Sequence, residues 1–94
     1  ETLESIIDLR KKYEEAIEDG MGIKRKKLGK KLLQKLFSQP VMTIRDIEAS
    51  LAVTFPTASA IASDFERIGL FIEKTGRRKD RIFYLREYLD LFSN

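Results

Sequence analysis

Thr54-Phe55-Pro56-Thr57-Ala58-Ser59-Ala60-Ile61-Ala62-Ser63-Asp64-Phe65-Glu66-Arg67-Ile68-Gly69 reads as one helix with both of its ends marked. Thr54 is a good N-cap, and Pro56 suits a first helical turn, where a missing N–H costs nothing. Gly69 supplies a left-handed stop. Between them Ala58, Ile61, Ala62, Phe65 and Ile68 recur at spacings of three and four, which predicts one buried stripe. The opposite face carries Thr57, Ser59, Ala60, Ser63 and Arg67, all small or polar except the arginine.

Immediately upstream, Thr43 followed by Asp46 forms a capping-box pattern, which predicts a helix through about Leu51 with Ile44, Ile47 and Leu51 inward. Ala52-Val53 then makes a tight turn, and two short helices joined so closely are a helix-turn-helix element. Val41-Met42-Thr43 is long enough only for an edge strand or an extended link. A further helix is expected from about Lys26 to Phe37, with Leu28, Leu32, Leu33, Leu36 and Phe37 on its apolar face. Gly29 is a penalty there of about 1 kcal/mol against Ala, and Ser38-Gln39-Pro40 ends the helix. Residues 3–18 form the first helix, with Leu3, Ile6, Ile7, Tyr13 and Ile17 on a stripe and charges elsewhere. Gly20-Met21-Gly22 interrupts the pattern. The chain therefore divides into an acidic helix and linker over 1–22 and a domain over 23–94. The first helix either packs its stripe on that domain or continues a longer helix from upstream.

After Gly69 the period changes. Leu70-Phe71-Ile72-Glu73-Lys74 and Arg81-Ile82-Phe83-Tyr84-Leu85 are rich in β-branched and aromatic residues. Thr75-Gly76-Arg77-Arg78-Lys79-Asp80 lies between them, which predicts a hairpin with a cationic tip. Arg86 to Phe92 is expected to close the fold with a turn of helix bearing Tyr88, Leu89 and Phe92. The fold class that follows is mainly α with a small β-hairpin: a winged helix-turn-helix preceded by an N-terminal helix, in which 55–68 is the recognition helix.

Ninety-four residues suit one domain with a modest core, and 43% apolar content is ordinary for a globular fold. Histidine and cysteine are both absent, which removes the commonest transition-metal ligands and the usual nucleophile–base pairs. No phosphate-cradling Gly-rich loop is present. The chain by itself is read as non-catalytic, without metal or cofactor. No apolar run reaches membrane-span length and no signal-peptide pattern opens the sequence, so a cytoplasmic protein without membrane contact is expected. Glu1 rather than Met begins the chain, which fits a piece of something longer.

The net charge is only +3, but it is unevenly placed. Residues 1–20 hold seven acids and three bases, whereas Lys24 to Lys35 hold seven bases and no acid. A second basic group comprises Arg77, Arg78, Lys79 and Arg81. This asymmetry fits nucleic-acid binding and equally an acidic arm facing a basic body. For DNA, the expected contacts are Thr57, Ser59, Ala60, Ser63 and Arg67 in the major groove. Arg77, Arg78, Lys79 and Arg81 would touch the backbone or minor groove. Only Arg67 on the helix can fork onto guanine, and Asp64 and Glu66 are expected to bring negative charge near the phosphates. The alternative is a protein-interaction or dimerisation module that uses the same face.

From about Leu28 to Phe92 the sequence resembles the C-terminal winged-helix domain attached to many Fic-family proteins. The resemblance is carried by Leu36-Phe37-Ser38-Gln39-Pro40-Val41, Ile44-Arg45-Asp46-Ile47, Phe55-Pro56-Thr57-Ala58 and Ile68-Gly69-Leu70-Phe71. Thr75-Gly76-Arg77-Arg78 and Tyr84-Leu85-Arg86-Glu87-Tyr88-Leu89 complete it. The resemblance implies a parent enzyme that transfers AMP from ATP to protein hydroxyls, with its catalytic domain upstream of Glu1. The family's His-Pro-Phe motif and Gly-Asn-Gly-Arg loop are absent, so no active-site residue carries over. The resemblance adds the upstream Fic catalytic domain to the partners that the residues themselves suggest, which are duplex DNA, another protein, or a second copy in a homodimer.

Overall fold

In a computed structural model of the protein, residues 2–73 and 81–86 are described, with side chains described from Asp8 onward. Four helices and a three-stranded antiparallel sheet make up these residues. In chain order they are α1 (Thr2–Gly20), α2 (Ile23–Leu36), β1 (Val41–Thr43), α3 (Ile44–Leu51), α4 (Phe55–Arg67), β2 (Phe71–Glu73) and β3 (Ile82–Leu85). The strand order is β1-β3-β2, so β3 is central. Met42 pairs with Phe83 on one side of it and Ile72 with Tyr84 on the other.

Each boundary has a local cause. The capping box at α3 is complete: Thr43 Oγ1 accepts from the Asp46 N–H at 3.2 Å, and Asp46 accepts from the Thr43 N–H at 2.9 Å. Ala52 ends α3 in the left-handed region at φ 55°, and that conformation makes the turn into α4. Thr54 caps α4, with Pro56 in the first turn. At its other end Gly69 adopts φ 87°. Leu70 N–H donates to Phe65 at 2.8 Å and Gly69 N–H to Glu66 at 3.2 Å, the paired bonds of a Schellman stop. α2 begins at Ile23, earlier than the apolar pattern predicts. Its N-cap is Gly22, which makes no side-chain cap bond; the Gly22 carbonyl instead accepts from the Arg25 N–H at 3.1 Å, a first-turn donor that a capping side chain would otherwise take, besides the ordinary helical bond from Lys26 at 2.9 Å. A cap made by backbone alone leaves no mark in side-chain pattern.

One apolar cluster joins all of these elements. Leu9, Tyr13, Ile17 and Met21 bring α1 into the same core as Leu32, Leu33 and Leu36 of α2, Ile47 of α3, Ile61 and Phe65 of α4, and Phe83 of β3. Phe65 meets Phe71 edge-on at 5.1 Å, and Phe71 stacks on Phe83 at 5.3 Å. Of the stripe expected on α1, Tyr13 and Ile17 are fully buried, Leu9 and Met21 extend it, and Leu3, Ile6 and Ile7 lie outside the described side chains. The core thus runs unbroken across Gly20–Gly22.

Two glycines mark close approaches. A Cβ at Gly29 would lie 2.6 Å from Met21 Sδ, so the helix penalty there makes room for the residue that carries α1 into α2. A Cβ at Gly20 would lie 2.5 Å from Ile68 Cγ2, which sets the end of α1 directly against the end of α4. The hairpin tip (74–80) and the closing turn expected beyond Arg86, with Tyr88, Leu89 and Phe92, lie outside the described residues.

Two substitutions test this account by urea unfolding. Ile17→Ala should lower stability by about 2–4 kcal/mol, as for other buried aliphatic truncations. A loss under about 0.5 kcal/mol, the size of a surface effect, would mean that α1 is a dispensable arm. Ala52→Gly should raise stability by roughly 0.5–1 kcal/mol, because glycine accepts the left-handed turn without strain.

Candidate nucleic-acid interface

α4 turns Ala58, Ile61, Ala62 and Phe65 into the core and leaves Ser63 exposed, with Thr57, Ser59 and Ala60 half-buried. Thr57 and Ala60 share a shallow, open groove of about 390 Å³ with Pro56 and with Lys24, Arg25 and Leu28 of α2. The first turns of α2 and α4 therefore lie side by side. The basic run Lys24–Lys35 was visible in the sequence, but not that its start borders α4, since about thirty positions separate the two. Thr57 also completes the helix cap: its hydroxyl oxygen accepts from the Thr54 hydroxyl at 3.2 Å.

The charge arrangement around α4 differs from the expected one. Asp64 does not face outward. It is only 6% exposed, and its carboxylate accepts from Arg25 Nε at 2.7 Å and from Arg25 Nη2 at 3.4 Å. Arg67 Nη2 donates to Asp64 Oδ1 at 3.2 Å and to the Gly20 carbonyl at 2.7 Å. A buried carboxylate has to be paired, and i, i+3 spacing on one helix brings Arg67 within reach. Arg67 is consequently tied back to α1 rather than projecting from the outer face. Glu66 stays exposed.

Burial alone would raise the Asp64 pKa, but the Arg25 and Arg67 guanidiniums outweigh it and hold the carboxyl below its ordinary value of about 3.8. Glu18 on α1 is also lowered, chiefly by its hydrogen bond from Lys30 and then by the charge of Lys26. The Glu18 contacts are 2.6 Å to Lys30 and 3.5 Å to Lys26. Among the described residues the acidic arm thus meets the basic body at Glu18, within one chain. Lys24, Lys27, Lys31 and Lys35 are exposed and make no ion pair with another described residue.

Arg81 is half-buried, its guanidinium 5.2 Å from the Phe83 ring centroid. The expected contacts Arg77, Arg78 and Lys79 lie outside the described residues. Among the described residues no group of three or more His, Cys, Asp or Glu side chains is placed to hold a metal ion, and no helix is long and apolar enough to cross a membrane. The chain matches no protein-family model and no curated protein.

The Asp64 clasp makes a prediction with a sign. Because the folded pKa is depressed, its contribution is complete above the ordinary carboxylate value and is lost as pH falls through the lower folded value. Asp64→Asn should cost about 1–2 kcal/mol at neutral pH, near the low end for hydrogen bonds to charged groups. The figure is low because the Arg25 and Arg67 side chains are 43% and 57% exposed and regain water. Unfolding followed from pH 7 down to pH 2 should show a smaller acid loss in the variant than in the wild type. Equal slopes would mean that the clasp contributes nothing.

Proposed function

We propose that this chain is a winged helix-turn-helix module that binds duplex DNA through α4, the wing and the first turn of α2. The order α2-β1-α3-α4-β2-β3, with a tight α3–α4 turn and the two last strands paired through β3, supports the fold reading. The observation that carries the DNA reading is the pairing of a small-faced helix with cations. Ser63 and Ser59 offer a surface flat enough to enter a groove, and Lys24 stands beside the α4 N-terminus, where phosphates would pass, next to an Arg25 already paired with Asp64. Arg81 and the adjoining Arg77, Arg78 and Lys79 of the wing supply the second cationic contact.

Sequence readout in this mode is poor. No Asn or Gln on α4 can recognise adenine, and the helix's one arginine is already engaged. Binding is then mostly electrostatic and falls steeply with salt. We further propose, on the residues quoted for the resemblance, that the module is the non-catalytic C-terminal part of a Fic-type protein that transfers AMP. A second reading, as a docking module for an upstream catalytic domain, another protein or a second copy, is favoured by Ile23 and Phe55. These two are 90% and 55% exposed, each next in sequence to a residue lining the α2–α4 groove.

The test is fluorescence anisotropy of a labelled random duplex at rising salt. The DNA reading expects saturable binding and a log–log salt slope that flattens by about 0.9 for each phosphate contact removed. Lys24→Glu should weaken binding, and reversing Arg77, Arg78 and Arg81 together should abolish it. Absence of binding at low salt would reject the DNA reading and leave the docking module.

A further inference from the structure

Arg67 is the only α4 side chain able to fork onto guanine, and its hydrogen bonds leave it unable to do so. A guanidinium has two bidentate edges, one formed by Nε with Nη2 and one by Nη1 with Nη2. Both use Nη2. In this fold Nη2 has two acceptors, the Gly20 carbonyl at 2.7 Å and Asp64 Oδ1 at 3.2 Å, and it carries only two hydrogens. Neither edge is therefore available while the clasp is closed.

The acceptors are held firmly. Gly20 is the last residue of α1 and abuts Ile68, the residue after Arg67. α1 itself is anchored by Tyr13 and Ile17 in the core. Asp64 is buried and is held from its other oxygen by Arg25 Nε at 2.7 Å. Arg25 in turn lines the groove beside Thr57 and Ala60. One carboxylate thus restrains two arginines at the proposed interface.

We infer that Asp64, together with the α1 carbonyl at Gly20, is the specificity-determining element of the α4 surface: it withholds Arg67 from bases, so that the closed module binds duplex DNA without reading guanine. This inference rests on the DNA-binding reading. Asp64→Ala removes one of the two acceptors of Nη2 and the charge that centres the guanidinium, and it frees a fork, whereas an asparagine would keep an amide oxygen able to accept from Nη2. Arg25 is loosened by the same change, which adds charge to the interface but no base contact at the recognition-helix face.

The experiment uses two labelled duplexes of equal length, one G·C-rich and one made only of A·T pairs, with the full 94-residue chain. Wild type should bind the two within about twofold, the scale of a contact without base readout. Asp64→Ala should favour the G·C-rich duplex by about fivefold or more over the wild-type ratio, the low end for one bidentate arginine–guanine pair. The double variant Asp64→Ala with Arg67→Ala should restore the wild-type ratio, and Arg67→Ala alone should leave that ratio unchanged. Where Asp64→Ala fails to fold, Asp64→Leu takes its place, since it fills the buried position without an acceptor. If wild type binds but the acceptor-free Asp64 variant discriminates no better, or if Arg67→Ala alone shifts the ratio fivefold, the inference is overturned and DNA binding stands. If neither duplex binds any of the proteins, the DNA reading fails and the inference goes with it.

Discussion

Burial of α4 is the constraint on which the rest of this molecule depends. The helix lies against α3, α2 and β2, and Ala58, Ile61, Ala62 and Phe65 on it are all fully buried. A buried Ile or Phe side chain contributes about 1.5–3 kcal/mol, so the stripe outweighs any single polar contact in the fold. It also fixes the helix rotation. With Ile61 and Phe65 inward, Asp64 falls at the edge of the buried stripe, and Arg25 and Arg67 neutralise the carboxylate there. The clasp is a consequence of helix packing rather than its cause. It binds α1, α2 and α4 at one point, and its energy is a small share of the whole.

The same geometry redistributes the charge that dominates the sequence. Seven bases between Lys24 and Lys35 look like one continuous cationic face. Folding splits them: Arg25 goes to Asp64, Lys26 and Lys30 go to Glu18, and Lys24, Lys27, Lys31 and Lys35 stay exposed along α2. The cleft beside Glu18 is lined by Glu14, Glu15 and Lys30, so the acidic side of α1 and part of α2 offset each other. What remains is a narrower basic edge, with Lys24 at the mouth of the α2–α4 groove. A surface of that kind attracts phosphates by charge and offers few hydrogen-bond patterns that would tell one base pair from another.

Local chemistry explains why much of the architecture is legible in the sequence. The α3 capping box, the Thr54 cap with Pro56 and the Gly69 stop are each encoded within four residues, and the structure has all of them; of the α4 stripe Ala58, Ile61, Ala62 and Phe65 are buried and Ile68, just past the helix, is half-buried. The short stretch Val41–Thr43 is an edge strand, one of the two forms its length allowed, and it takes its partner from β3 near the far end of the chain. The start of α2 was less legible, because the backbone of Gly22 caps it without a side chain. Leu9 falls four residues before Tyr13, so helical spacing already puts it on the α1 face, whereas Met21, just past α1, is covered by the close approach of Gly29 on α2.

The sequence by itself determined the four helices, the capped ends of α3 and α4, the change of period after Gly69, and the absence of histidine and cysteine. Those properties come from dihedral preference, spacing and composition, which act over a few residues. Only the tertiary structure decided that Asp64 is buried, that Arg67 is committed to Gly20, and that Lys24 and Arg25 border α4 across about thirty positions of chain. Hydrogen bonding and desolvation depend on which atoms meet in space. At i, i+3 the sequence allowed Asp64 and Arg67 to pair, but packing of α1 and α2 around them made the pairing necessary.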